Sequence, residues 1–131
     1  MPVVSYQAIV NLHYLFSVVP DSQGIVTVNR GDELMLPCHT SSATSSVTWL
    51  HLEKPSVPLF FMYTNGEVDF ALRYRVNVSN PAAGDYSLIH HNIQKDDAGR
   101  YLCCLDNTAR SGQMLQYIYT VIVHGMLCIC H

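Results

Sequence analysis

The residues best able to do chemistry are five cysteines, seven histidines and one glycosylation triplet in a chain of 131 residues. Cys38, Cys103, Cys104, Cys128 and Cys130 can form disulfides in an oxidising compartment or bind a soft metal as thiolates. Their odd number leaves one thiol over in a secreted setting. Cys128-Ile129-Cys130-His131 offers zinc-ligand types, but three clustered ligands without a second group do not complete a tetrahedral site, so no metal is expected. His39, His51, His90 and His91 fall on extended segments with no nucleophile beside them. The chain also lacks GxSxG, HExxH and a phosphate-cradling glycine loop, so the expectation is no enzyme, no catalytic residue and no cofactor. Arg30-Gly31-Asp32 spells an adhesive tripeptide, but a Gly-Asp turn before the next strand suffices to explain it, and no adhesive role is expected of it. Asn77-Val78-Ser79 is an acceptor triplet for an N-linked glycan.

Composition narrows the partner class. With 49% hydrophobic residues the chain supports one domain with a core and has no length for a second. The net charge is −3, and the seven Lys and Arg are dispersed, which leaves no basic stripe for a phosphate backbone. A nucleic-acid partner is not expected.

Apolar residues alternate with period two in short runs, separated by turn signals every 8 to 12 residues or so, and no long stretch has helical period. This reads as an all-β sandwich. Expected strands are 25–28 and 33–39 around the Arg30-Gly31-Asp32 turn, then 46–52, 58–63, a short piece at 67–71, and finally 73–79, 85–91, 99–105 and 116–123. The count exceeds seven.

Cys38, Trp49 and Asp97-Ala98-Gly99-Arg100-Tyr101-Leu102-Cys103 form a motif frame, joined by Leu34 to Cys38 (LMLPC), Val47-Thr48-Trp49 and the run PLFFMY. In these residues the chain from about Gly24 to Gly125 resembles an immunoglobulin V-set domain, a two-sheet Greek-key sandwich of variable type with two extra short edge strands. The resemblance implies a Cys38–Cys103 bridge between the sheets, Trp49 packed on it, and Tyr101 as the corner tyrosine. It further implies that Arg75, or failing that Arg73, pairs with Asp97. A disulfide closing so long a loop persists in oxidising compartments, so the domain is expected to be extracellular, secreted or on the plasma membrane of a longer form. His90 departs from the pattern, because it takes an inward position that the family fills with an aliphatic side chain. A buried imidazole needs a hydrogen bond, for which a backbone carbonyl is the expected acceptor. Segment 110–117 lacks the glycine-rich bulge of antigen-receptor domains, which disfavours an antibody or T-cell receptor chain.

If Trp49, Tyr101 and Cys103 point inward, alternation sends Leu50, Leu52, Leu102 and Cys104 to the other face, with Ile118 and Ile122 beside them. That surface is apolar where an exposed sheet ordinarily alternates polar, which marks an interface. Phe60 or Tyr63 is expected to add an aromatic anchor, and loop 106–115 to set specificity. The expected activity is binding of a protein partner, or of a second copy, through this face. The leftover Cys104 allows an intermolecular disulfide, a bond to Cys128 or Cys130, or a partly shielded free thiol. Residues 1–23 read as a degenerate signal-like or disordered leader, 24–125 as the domain and 126–131 as a short Cys-rich tail. Segment 117–130 is too short for a membrane span, and the weak leader and abrupt end also fit a fragment of a longer receptor.

Overall fold

The computed structural model describes residues 17–40, 46–54, 58–63, 68–70, 76–107 and 113–125. Its strands in chain order are β1 (Ser17–Val18), β2 (Ile25–Asn29), β3 (Glu33–Leu36), β4 (Ser46–His51), β5 (Phe60–Tyr63), β6 (Val68–Phe70), β7 (Val76–Asn80), β8 (Asp85–His90), β9 (Gly99–Asn107) and β10 (Gln113–His124). They form two sheets, one ordered β1-β3-β8-β7 and the other β2-β10-β9-β4-β5-β6. β1 runs parallel to β3 and β2 parallel to β10, while the other pairings are antiparallel. The expected all-β variable-type sandwich, with β5 and β6 as its extra edge, is what the chain forms.

The core is built by alternation. Val26, Val28, Leu34, Leu36, Val47, Trp49, Leu88, Tyr101 and Val121 are buried around a Cys38–Cys103 disulfide that ties β9 to the segment after β3. The Trp49 indole N–H donates to the Tyr86 carbonyl at 2.7 Å, so this large side chain is buried without an orphaned donor. The Tyr101 hydroxyl donates to the Asp97 carbonyl at 2.6 Å, which is the tyrosine-corner contact.

Boundaries move for local reasons. β3 stops at Leu36 because Pro37 has no N–H for the ladder. Pairing with β8 and the residue before it resumes through Tyr86 N to Cys38 O at 2.8 Å, an isolated bridge between His39 and Asp85, and Thr40 N to Gly84 O at 3.1 Å. β4 ends at His51, whose carbonyl accepts Lys54 N–H at 2.8 Å in a turn, so Leu52 lies in that turn and not on the strand. Ser17–Val18, read from sequence as leader, pairs with Glu33–Leu34, and the Asp21 carboxylate caps the N–H groups of Gln23 and Ile25. The folded unit therefore begins before residue 24.

Candidate recognition face and the residues beneath it

The face of the six-stranded sheet turned from the core follows from strand parity and register. Val47, Trp49 and His51 are buried on β4, Tyr101, Cys103 and Leu105 on β9, and Tyr119 and Val121 on β10. The alternate residues face outward, and the ladder aligns Ile118 with Leu102 and Leu102 with Leu50 in one row. The next row runs from Gln116 through Cys104 and Thr48 to Phe61. Ile118 is 55% exposed and Ile122 43%, and Ile25 of the neighbouring β2 is 38% exposed, so β-branched apolar groups stand in solvent along β10 and its partner. Leu50, Leu102 and Cys104 are half-buried among them. An open groove of about 440 Å³ runs beside Ile118, between the Pro20–Gly24 turn and β10.

Phe60 is not on this face. It is 4% exposed and packs in the core with Leu59 and Met62 against it, while Phe61 faces the Thr48 side. Two adjacent aromatics left the phase of β5 undetermined by pattern, and pairing of Trp49 with Phe60 fixes it. Leu52 is half-buried in its turn and donates its N–H to the Arg100 carbonyl at 2.7 Å. The side chain of Tyr63 and most of loop 106–115 lie outside the described residues.

Cys104 is partly covered, with Gln116 Nε2 at 3.9 Å from its Sγ. Burial pushes the thiol above its ordinary range, so it stays protonated at neutral pH. One end of the face is closed by Glu53, which accepts Arg100 N–H at 2.6 Å and the Arg100 guanidinium at 2.8 Å. Those two hydrogen bonds hold the Glu53 carboxyl below its usual range.

Beneath that end lies a buried aromatic stack. His51 is stacked on Tyr101 with ring centroids 4.4 Å apart, and its Nε2 lies 2.9 Å from the Ala98 carbonyl, which requires a proton on Nε2. Burial lowers the His51 pKa below its ordinary value, against the bond to Ala98, which works to raise it. His90 meets Tyr101 edge-on from the other sheet and faces inward. Its nearest polar partner is a carboxylate and not the expected backbone carbonyl. Asp97 Oδ1 is 3.5 Å from His90 Nε2, and His90 Nδ1 has no hydrogen-bond partner among the described residues. Asp97 also accepts Gln94 N–H at 2.7 Å. Arg75 and Arg73 lie outside the described residues.

Ser87, His39 and Asp85 converge in a way that sequence did not reveal, because only the register of β8 against the end of β3 brings them together. Ser87 Oγ is 3.4 Å from His39 Nε2, and His39 Nδ1 is 3.5 Å from Asp85 Oδ1. The set resembles a hydrolase triad but is wired differently. Ser87 is fully buried, donates its hydroxyl hydrogen bond to Asp85 at 2.6 Å, not to His39, and accepts Cys38 N–H at 3.1 Å. A nucleophile needs an exposed oxygen and a base to take its proton, and neither condition is met. Burial works against the Asp85 carboxylate, but hydrogen bonds from the Ser87 hydroxyl and N–H and from the Ser79 side chain, with His39 nearby, together outweigh it and hold its pKa low. The trio staples the segment where Pro37 interrupts β3.

The tripeptide Arg30-Gly31-Asp32 forms the β2–β3 turn, and Asp32 spends its carboxylate on Asn29 N–H at 2.9 Å. Asn77 stands exposed on β7, within 2.9 Å of His91 Nε2. Cys128, Cys130 and His131 lie outside the described residues. Among the described residues no helix is long and apolar enough to cross a membrane.

The family model of the immunoglobulin V-set domain matches residues 21–124, most of the chain, and the chain belongs to that family. Among solved structures it is similar to human T-cell immunoglobulin and mucin domain protein 1, with 20% identity, 78% of this chain and 98% of that one covered, and a TM-score of 0.64. It is also similar to murine CRIg, at 25% identity, with 77% and 92% covered and a TM-score of 0.60. A third likeness is to a chain of the crystal structure of Dpr1 IG1 bound to DIP-eta IG1, at 17% identity, 82% and 90% covered and a TM-score of 0.58. No curated protein matches the chain.

Proposed function

We propose that this chain is an extracellular recognition domain that binds a protein partner through the outer face of its six-stranded sheet, by surface complementarity and without chemistry. The observation that carries the reading is the outward apolar row from exposed Ile118 through half-buried Leu102 to Leu50, extended by exposed Ile122 and Ile25. Scattered exposed apolar residues need no explanation, whereas aligned ones on a sheet that ought to alternate polar do. Covering the exposed parts of Ile25, Ile118 and Ile122 returns about 1 kcal/mol each, with further contributions from Leu50, Leu102 and Phe61. The fitting partner surface is a protein patch with an apolar centre and a polar rim that meets Glu53–Arg100 at one end and Asp106 at the other. The structure of Dpr1 IG1 bound to DIP-eta IG1, which contains a domain of the same fold, is an instance of such a domain meeting a protein. The Cys38–Cys103 disulfide supports the extracellular assignment.

The test is a binding screen of the domain against cell-surface ectodomains, itself included, with Ile118→Asp and Leu50→Asp compared at matched thermal stability. Ile118 is more than half exposed, so the first variant costs little folding energy and reports on the face alone. Loss of association in both variants is the expected result, and unchanged association at equal stability removes this face.

A second reading places another copy of the chain on the same face, linked through Cys104. It is favoured by the position of that thiol in the row of Gln116 and Thr48, on the outer face and partly exposed. Its raised pKa opposes spontaneous oxidation. Mass analysis with and without reductant separates the two readings.

A further inference from the structure

The motif left over by the recognition face is Asn77-Val78-Ser79, and the fold gives it a defined place. Val76 is buried and pairs with His90, so Asn77 points away from the core, on the outer face of the four-stranded sheet. It is exposed, and β7 is the last strand in that sheet's order. A chain of polar side chains crosses the whole sheet from it. Asn77 Nδ2 is 2.9 Å from His91 Nε2, His91 Nδ1 is 2.9 Å from Glu33 Oε1, and the Ser17 hydroxyl donates to Glu33 Oε2. A carboxylate accepts, so His91 carries its proton on Nδ1, and Nε2 is left to accept from the Asn77 amide nitrogen. The amide is thereby oriented with Nδ2 against His91 and, in the neutral imidazole, one N–H engaged. The second N–H is the one a substituent can replace.

We propose that Asn77 carries an N-linked glycan, which covers the outer face of the four-stranded sheet beside β7 and so confines recognition to the six-stranded sheet. The sequence contains no other Asn-x-Ser or Asn-x-Thr triplet, so the sugar goes to this sheet or to none. In the transfer, Nδ2 of Asn77 forms a bond to the anomeric carbon of an oligosaccharide carried on a lipid diphosphate. The bond from that carbon to the phosphate oxygen breaks, the lipid diphosphate leaves with the electron pair, and one amide proton is lost. No oxidation or reduction occurs. The remaining N–H still donates to His91, so the cross-sheet chain survives the modification. A bulky solvated group at an edge strand also blocks pairing with another sheet edge, a hazard that small β domains must manage. The apolar rows around Ile118 and Leu102 lie on the opposite sheet and stay uncovered.

The proposal rests on the extracellular reading, but its test does not depend on knowing the partner. The chain is expressed in a mammalian secretory system, and intact mass before and after peptide-N-glycosidase is read from both medium and cell extract. Wild type and Ser79→Thr are expected to shift on treatment, with Asn77 then appearing as aspartate, while Asn77→Gln and Ser79→Ala do not shift. Wild-type chain with Asn77 unmodified in both fractions overturns the glycan and leaves the recognition face untouched. A glycan whose enzymatic removal abolishes partner binding, or leaves association unchanged in every respect, overturns its confining role. Partner binding that persists after removal, joined by new association that Asn77→Gln also shows, supports it.

Discussion

Replacing Gly99 with alanine tests the geometry that seats the Asp97 to Cys103 motif against the end of β4. Gly99 has φ of +131°, a region that an L side chain rarely adopts, and a Cβ there would stand 2.5 Å from Glu53 Oε1 and 2.7 Å from His51 Nε2. The backbone strain costs about 1–3 kcal/mol. Displacing His51 from the Ala98 carbonyl adds about 1–2 kcal/mol, because the imidazole is buried and its donor would be left unsatisfied. Glu53 must also release the Arg100 N–H and guanidinium. The expected total is about 2–5 kcal/mol, or a fall in melting temperature of about 8–20 °C at roughly 4 °C per kcal/mol. Gly31→Ala is the internal control, since Gly31 has φ of +90° but nothing within 4 Å of an added Cβ, so it carries strain alone. Chemical denaturation of both variants at neutral pH gives the comparison. A Gly99→Ala loss no larger than that of Gly31→Ala, or one below about 1 kcal/mol, refutes the packing of Glu53 and His51 over Gly99.

Phe60→Ala is expected to cost about 3–5 kcal/mol because the ring is buried, whereas Phe61→Ala leaves stability nearly unchanged and weakens partner binding; denaturant midpoints and affinities read both, and equal stability losses would reverse the assigned phase of β5. Because burial depresses the folded-state pKa of His51 below 6.5, the unfolded chain takes the proton first, so stability is full above that pH and declines as pH falls until the folded-state pKa is passed. Each unit of depression is worth about 1.4 kcal/mol; His51→Phe keeps the stack on Tyr101 and should flatten the decline, and an unchanged slope would assign it to other groups. Removing both Cys38 and Cys103 opens a loop spanning 65 positions and is expected to cost about 4 kcal/mol in denaturation under non-reducing conditions, while a loss near zero would mean that the bridge does not form in solution.

The sequence was most legible where one residue type has one geometric use. Trp49, Tyr101 and Cys103 fix the inward phase of β4 and β9, and the outward set of Leu50, Leu102, Cys104, Ile118 and Ile122 follows from it by alternation. Legibility failed where phase or register decides. Phe60 and Phe61 are adjacent and equally apolar, so pattern could not say which is buried. Ser17–Val18 belongs to a largely apolar run, which resembles a leader as much as a strand, and pairing with Glu33–Leu34 distinguishes them. Ser87, His39 and Asp85 are brought together by a ladder that Pro37 interrupts, and no spacing in the chain announces this. His90 was legible as an inward imidazole, while its carboxylate partner Asp97 depends on the packing of one sheet against the other.

Hydroxyl-radical footprinting of the domain, free and bound to a partner found in the ectodomain screen, asks most directly which sheet does the binding. Loss of side-chain reactivity at Leu50, Leu102, Ile118 and Ile122, with Met35 and His91 of the other sheet unchanged, is the predicted result. Protection of Met35 and His91 while Ile118 and Ile122 stay fully reactive would contradict recognition through the six-stranded sheet.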